Sequence, residues 1–146
     1  MSTVVLSPGA EENGLACMLA DLMRQNLEAK PHKLRDFRRM SGDVAIVAED
    51  ADVSLTLRFA RGTLTILDGI VGVPKLTVRG TADVIMLLSN MPIRFGLPLP
   101  TRGDADSMDV ARTVMRAMGA GELHTYGMLQ HPRLFLQVTR VMSVNG

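Results

Sequence analysis

From Val53 to Phe59 apolar and polar residues alternate without a break, with Ser54, Thr56 and Arg58 separating Val53, Leu55, Leu57 and Phe59. Successive side chains of an extended backbone point to opposite faces, so this pattern demands a strand with one face on a core and the other in water. Such a strand needs neighbours, and the sequence supplies one on each side. Residues 42–49 offer Val44, Ile46 and Ala48 on one face, although Ala45 and Val47 blur the alternation, and residues 63–68 offer Leu64 and Ile66. Glu49, Asp50, Ala51 and Asp52 form a polar connection, and Ala60, Arg61 and Gly62 a turn, so the three segments read as an antiparallel meander. Gly69, Gly72 and Pro74 end the run.

The flanking segments follow a different period. Within residues 11–28, Leu15, Met18, Leu19, Leu22, Met23 and Leu27 recur at three-and-four spacing, as on one face of a helix. Lys30, Pro31, His32, Lys33, Arg35, Arg38 and Arg39 then form the densest basic stretch. It reads as a solvated connector, with contact to anionic lipid headgroups or a phosphorylated ligand as the alternative. Further along, Leu76-Thr-Val-Arg-Gly80 is echoed 47 residues later by Leu123-His-Thr-Tyr-Gly127, and each copy precedes a helical pattern. The first of these helices spans about residues 81–90 with Thr81 as N-cap. The second follows Pro132 to about Met142, its polar positions Arg133, Gln137 and Arg140 leaving a broad apolar face. Between them, residues 91–103 hold Pro92, Pro98 and Pro100 with Phe95 and Leu97, a candidate lid. Asp104 or Asp106 then caps a helix over about 108–118, with Val110, Ala111, Val114, Met115 and Met118 facing inward and Arg112 and Arg116 outward. No domain boundary interrupts residues 1–146, which read as a single domain.

Composition narrows the function. A net charge of +1, with no Trp, one Tyr and four Phe, removes both the electrostatic footprint and the stacking platforms expected of a nucleic-acid binder. Eleven Met suit an apolar interior able to adapt to a variable ligand. The single Cys17 rules out an internal disulfide and reads as small core filler in a reducing compartment. No signal peptide or long apolar run is evident, and a soluble cytoplasmic protein is expected.

Reactive groups are sparse. His32, His124 and His131 lack metal-ligand spacing, and capping accounts better for Asp104, Asp106 and Asp109 than a calcium loop does. Glu49, Asp50 and Asp52 suit a polar turn, Gly69 and Gly72 complete no phosphate-binding motif, and Arg102-Gly-Asp104 is too short to signal adhesion. The expectation is a protein that is not an enzyme and uses neither cofactor nor metal.

Taken in order, Leu55-Thr-Leu-Arg-Phe-Ala-Arg-Gly62-Thr-Leu-Thr-Ile66, Leu76-Thr-Val-Arg-Gly80-Thr-Ala-Asp83 and Gly121-Glu-Leu-His-Thr-Tyr-Gly127 resemble the sterol carrier protein type 2 lipid-binding domain family, over about residues 15–144. The resemblance implies an α+β fold, a five-stranded, mostly antiparallel sheet covered by helices, with an apolar tunnel between them. The tunnel would hold a fatty acid, fatty acyl-CoA, sterol or other lipid. Leu57, Phe59, Ile66, Val78, Met86 and Phe95 are candidate lining residues, with Met115, Met118, Phe135, Val138 and Met142 from the later helices. A volume of a few hundred Å³ is expected, as at most small-molecule sites (about 300–1,000 Å³). An alternative is an accessory protein that meets a lipid- or quinone-biosynthesis enzyme. Transient contact with an anionic membrane surface is a further partner expectation. The residues Val144-Asn-Gly146 carry no peroxisomal tripeptide, in keeping with a cytoplasmic member.

Overall fold

Six strands make one open sheet in a computed structural model that describes residues 4–90 and 105–145. They are β1 (Val4–Leu6), β2 (Gly42–Ala48), β3 (Val53–Ala60), β4 (Thr63–Asp68), β5 (Leu76–Gly80) and β6 (Leu123–Tyr126), in the order β1-β4-β3-β2-β5-β6. The expected meander is β2-β3-β4, antiparallel throughout, with Val44 opposite Leu57 and Leu57 opposite Ile66. Arg61 and Gly62, both at positive φ, close the two-residue turn from β3 to β4. Strand β5 runs parallel to β2, and β6 antiparallel to β5. The sequence pattern did not reveal β1, which runs parallel to β4 at the sheet edge; three residues are too few to display a period.

Among the described residues, five α-helices cover one face of the sheet: α1 (Gly14–Ala29), α2 (Lys33–Arg39), α3 (Ala82–Leu87), α4 (Ala105–Gly119) and α5 (Pro132–Met142). Leu55, Leu57, Phe59, Leu64 and Ile66 meet Leu19, Met23 and Leu27 of α1, Phe37 of α2 and Val141 of α5 in the main core. Met18 projects from α1 into solvent, and Cys17 is half-buried, donating to the Glu11 carbonyl. The basic stretch is not a simple connector, because within it α2 buries Phe37 and Lys33. Two apolar residues in so short a helix, Leu34 and Phe37, leave no visible period. The other sheet face is polar, with Arg58 bridging Asp43 across β3 and β2 at 3.0 Å. There the Thr56 hydroxyl donates to the Gly69 carbonyl and accepts from the Val71 amide, tethering the β4–β5 connection.

The acidic connection from β2 to β3 is structural. Glu49 pairs with Arg79 at 2.9 Å, and Asp50 accepts from the Ala82 amide at the start of α3, where Thr81 caps Val84. At the start of α1, Asn13 accepts from the Ala16 amide and donates to Asp68 and the Ser54 carbonyl, fixing the helix to β3 and β4. Two buried side chains secure the end of α5. Asn26 donates to the Val141 and Met142 carbonyls, both at 2.9 Å, and Lys33 donates to those of Ser143 and Asn145.

The glycine echo has a steric cause. A Cβ at Gly80 would sit 2.7 Å from the Glu122 carbonyl oxygen, and one at Gly127 only 2.1 Å from that of Lys75. Each strand of the β5–β6 pair thus ends in a glycine pressed against the backbone at the other's beginning. Gly127 also has φ +87, which costs a side-chain-bearing residue about 1–3 kcal/mol before any overlap. Gly127→Ala is therefore expected to destabilise by at least about 2 kcal/mol in urea denaturation. Gly119→Ala, where an added Cβ meets nothing within 4 Å, should be neutral or slightly stabilising.

Burial, with like-charge repulsion from Lys30, lowers the Lys33 pKa from 10.5 to about 8. The unfolded chain then keeps this proton to about pH 10.5 while the folded one releases it near 8, so stability from this group rises with pH between the two. Comparing wild type with Lys33→Met should give a stability difference that is flat below about pH 8 and grows in favour of wild type up to about pH 10.5. A difference flat over the whole range would contradict this assignment.

Candidate functional site

The broad apolar face of α5 meets both the core and an empty space beside it. Leu134, Val138, Val141 and Met142 all belong to the main core, and Phe135, Val138, Thr139 and Met142, at i, i+3, i+4 and i+7, also form one wall of a cavity at its edge. Its floor is Val44 and Ile46 of β2, Leu76 and Val78 of β5, and Leu123 and Thr125 of β6. Ile85 of α3, Leu88 just beyond it, and Val114 and Met118 of α4 complete the enclosure. The space is about 70 Å³. That is enough for a few waters and well below the few hundred expected for a lipid-sized ligand.

Two hydroxyls interrupt this apolar wall. Thr139 donates to the Phe135 carbonyl in its own helix at 2.9 Å. The Thr125 hydroxyl makes no hydrogen bond among the described residues and is the polar group a ligand would find there.

Of the residues singled out from sequence, Val78, Met118, Phe135, Val138 and Met142 line the cavity together. Leu57, Phe59 and Ile66 do not; they lie in the solid core beneath α1 and α2. Met86 packs against that core, half-buried, and Phe95 and the whole proline-rich segment 92–104 lie outside the described residues, as does Asp104. Met115 is 68% exposed, contrary to its expected inward placement. Helix α4 seats Val114 and Ala117 against Val78, Val84 and Leu123, and one residue beyond Val114 is about 100° around the helix. Gln137 is the converse, read as polar surface yet buried. Sequence reasoning passed over Val44, Ile46, Leu76, Ile85, Leu88 and Leu123 as lining residues, because alternation shows which strand face is covered but not whether helix or empty space covers it.

Outside the cavity, His124 stacks on Tyr126 with ring centroids 6.2 Å apart, on the sheet face away from the helices. Among the described residues no three His, Cys, Asp or Glu side chains gather as a metal site, and no helix is long and apolar enough to cross a membrane.

No protein-family model matches the chain, and no curated protein matches it by sequence. Among solved structures, that of a UbiJ-SCP2 ubiquinone synthesis protein matches with a TM-score of 0.58 at 17% identity, over 90% of this chain and 97% of the other. A sterol carrier protein 2 crystal structure gives 0.49 at 9% identity, over 86% and 91% of the two chains. The apo sterol carrier protein 2 of Yarrowia lipolytica gives 0.48 at 12%, over 86% and 89%. With helices on one face of a mostly antiparallel sheet, and a likeness to the UbiJ-SCP2 structure that spans nearly all of both chains, this protein has the sterol carrier protein 2-like fold.

Proposed function

We propose that this chain binds a hydrophobic small molecule, a fatty acid, fatty acyl-CoA, sterol or other lipid, between its sheet and α3 to α5, and does not convert it chemically. The observation that carries this reading is the cavity wall, in which all but Thr125 and Thr139 of the lining side chains are apolar. At 70 Å³ the cavity must enlarge to admit such a ligand, and α4 is the element placed to yield. It rests on a small cluster of its own, in which it buries only Val114 and Ala117, apart from the main core. Exposing one valine costs about 1.5–3 kcal/mol, and each ligand methylene buried returns about 0.8 kcal/mol. A chain of roughly two to four methylenes therefore offsets the exposure of Val114.

A second reading is an accessory role beside a lipid- or quinone-biosynthesis enzyme. It is favoured by the fold likeness to the ubiquinone synthesis protein and by Ile70, Val71 and Val73, which stand exposed on the β4–β5 connection.

Titration with a fluorescent fatty acid, together with native mass spectrometry of gently purified protein, tests the first reading. Wild type should take up the probe, and Val138→Phe, which fills the cavity, should bind at least about tenfold more weakly while circular dichroism shows it folded. Amide exchange in α4 should slow when the ligand is bound. A folded wild type that carries and takes up no lipid would leave the accessory role as the better account. Met115→Lys should change stability by less than about 0.5 kcal/mol, because its side chain points to water, whereas Val114→Lys should unseat α4.

A further inference from the structure

On the opposite side of α5 from the apolar cavity, its first turn meets the end of α2 and the start of β5 around an open cleft of about 380 Å³. Arg39, Lys75 and Arg133 line it with His131 and Ser41, and no carboxylate does. The paired arginines Arg24, Arg58, Arg79 and Arg140 lie elsewhere; these three cations have no acidic partner among the described residues. Helix α5 is eleven residues long, and His131 at its N-cap supplies no side-chain cap. Pro132 has no amide hydrogen, so the Arg133 and Leu134 amides are the first-turn donors without an intrahelical acceptor.

Gln137 is the independent observation. Only 4% exposed, it borders this cleft, and its amide makes no hydrogen bond to any described residue. No buried side-chain nitrogen or oxygen among the described residues is left without a partner, so this amide opens onto the cleft, where a ligand can take the place of its water.

We propose that this cleft binds a phosphoryl group, either as inorganic phosphate or as the headgroup of a phosphorylated amphiphile. Three permanent cations suit a dianion better than a monovalent carboxylate. Donors from α2, β5 and α5 converge from different directions, which fits tetrahedral oxygens better than a planar group. The site does not depend on the apolar cavity being a lipid site. The two share α5 and the entry to β5, where Lys75 faces the cleft and the next residue, Leu76, the cavity, so a single amphiphile can reach both.

The test is NMR titration of the whole chain with inorganic phosphate, octyl phosphate and octanol. Both phosphates should shift the Arg133 and Leu134 amides and the Gln137 side-chain amide, and octanol should leave them in place. Lys75→Gln combined with Arg133→Gln should weaken phosphate binding at least tenfold. Gln137→Met should weaken it several-fold with the chain still folded, since an amide that opens onto the cleft is replaced by an apolar side chain of similar size. Octyl phosphate binding tenfold or more tightly than inorganic phosphate identifies an amphiphile as the ligand class, and equal affinities identify free phosphate. Phosphate-induced shifts spread over all surface arginines and lysines, or an affinity unchanged in the double variant, would overturn the proposal. Because inorganic phosphate has no apolar part, its binding here stands or falls separately from fatty-acid uptake.

Discussion

The carbonyl groups at the end of α5 are satisfied from inside the protein, and the rest of the arrangement depends on this. A helix leaves its last carbonyls without intrahelical donors, and burying them unpaired would cost more than the apolar contacts nearby could offset. Asn26 from α1 and Lys33 from α2 supply the donors, and the Arg140–Asp36 pair at 3.5 Å adds a third tie to α2. Held this way, α5 is a fixed partition with the solid core on one side, the apolar cavity on another and the cationic cleft at its first turn. Lys33 gives up part of its proton affinity for that role, as its depressed pKa shows.

On the far side of the cavity the construction is lighter. Strands β5 and β6 form a close pair because glycines at their ends let each backbone approach the other. Helix α4 rests on that pair through Val114 and Ala117, with Met115 and Arg116 facing water. Well-anchored and lightly seated elements therefore face each other across the same space. Regions with few buried apolar contacts open at lower free energy than the core, so α4 is the element that the proposed ligand uptake would displace without unfolding the sheet.

The placement of charge follows the same division. Arg58 with Asp43 and Arg79 with Glu49 are paired across strands on the open sheet face, where they satisfy one another. Cations without such partners gather at the first turn of α5 beside an uncapped helix start and a buried amide. The proposed apolar and phosphoryl sites thus share one helix without placing a charge inside the cavity, where desolvation would penalise it.

Much of this could be read from the chain alone. Alternation from Val53 to Phe59 determined the meander and the face each of its residues occupies, because a one-residue slip would turn every apolar side chain to water. Three-and-four spacing determined α1 and α5, and the repeated Leu-x-(Val/Thr)-x-Gly pattern located β5 and β6, which proved to be partners. What local sequence could not determine was which apolar surface meets which. Leu57, Phe59 and Ile66 have the same pattern as Val44, Ile46 and Val78, yet α1 and α2 fill the space above the first set, while a gap remains above the second. The burial of Gln137 and Lys33, the outward turn of Met115 and the pairing of β1 likewise follow from contacts between segments distant along the chain. Periodicity reports the face a residue occupies on its own element; only tertiary packing decides whether that face meets core, cavity or water.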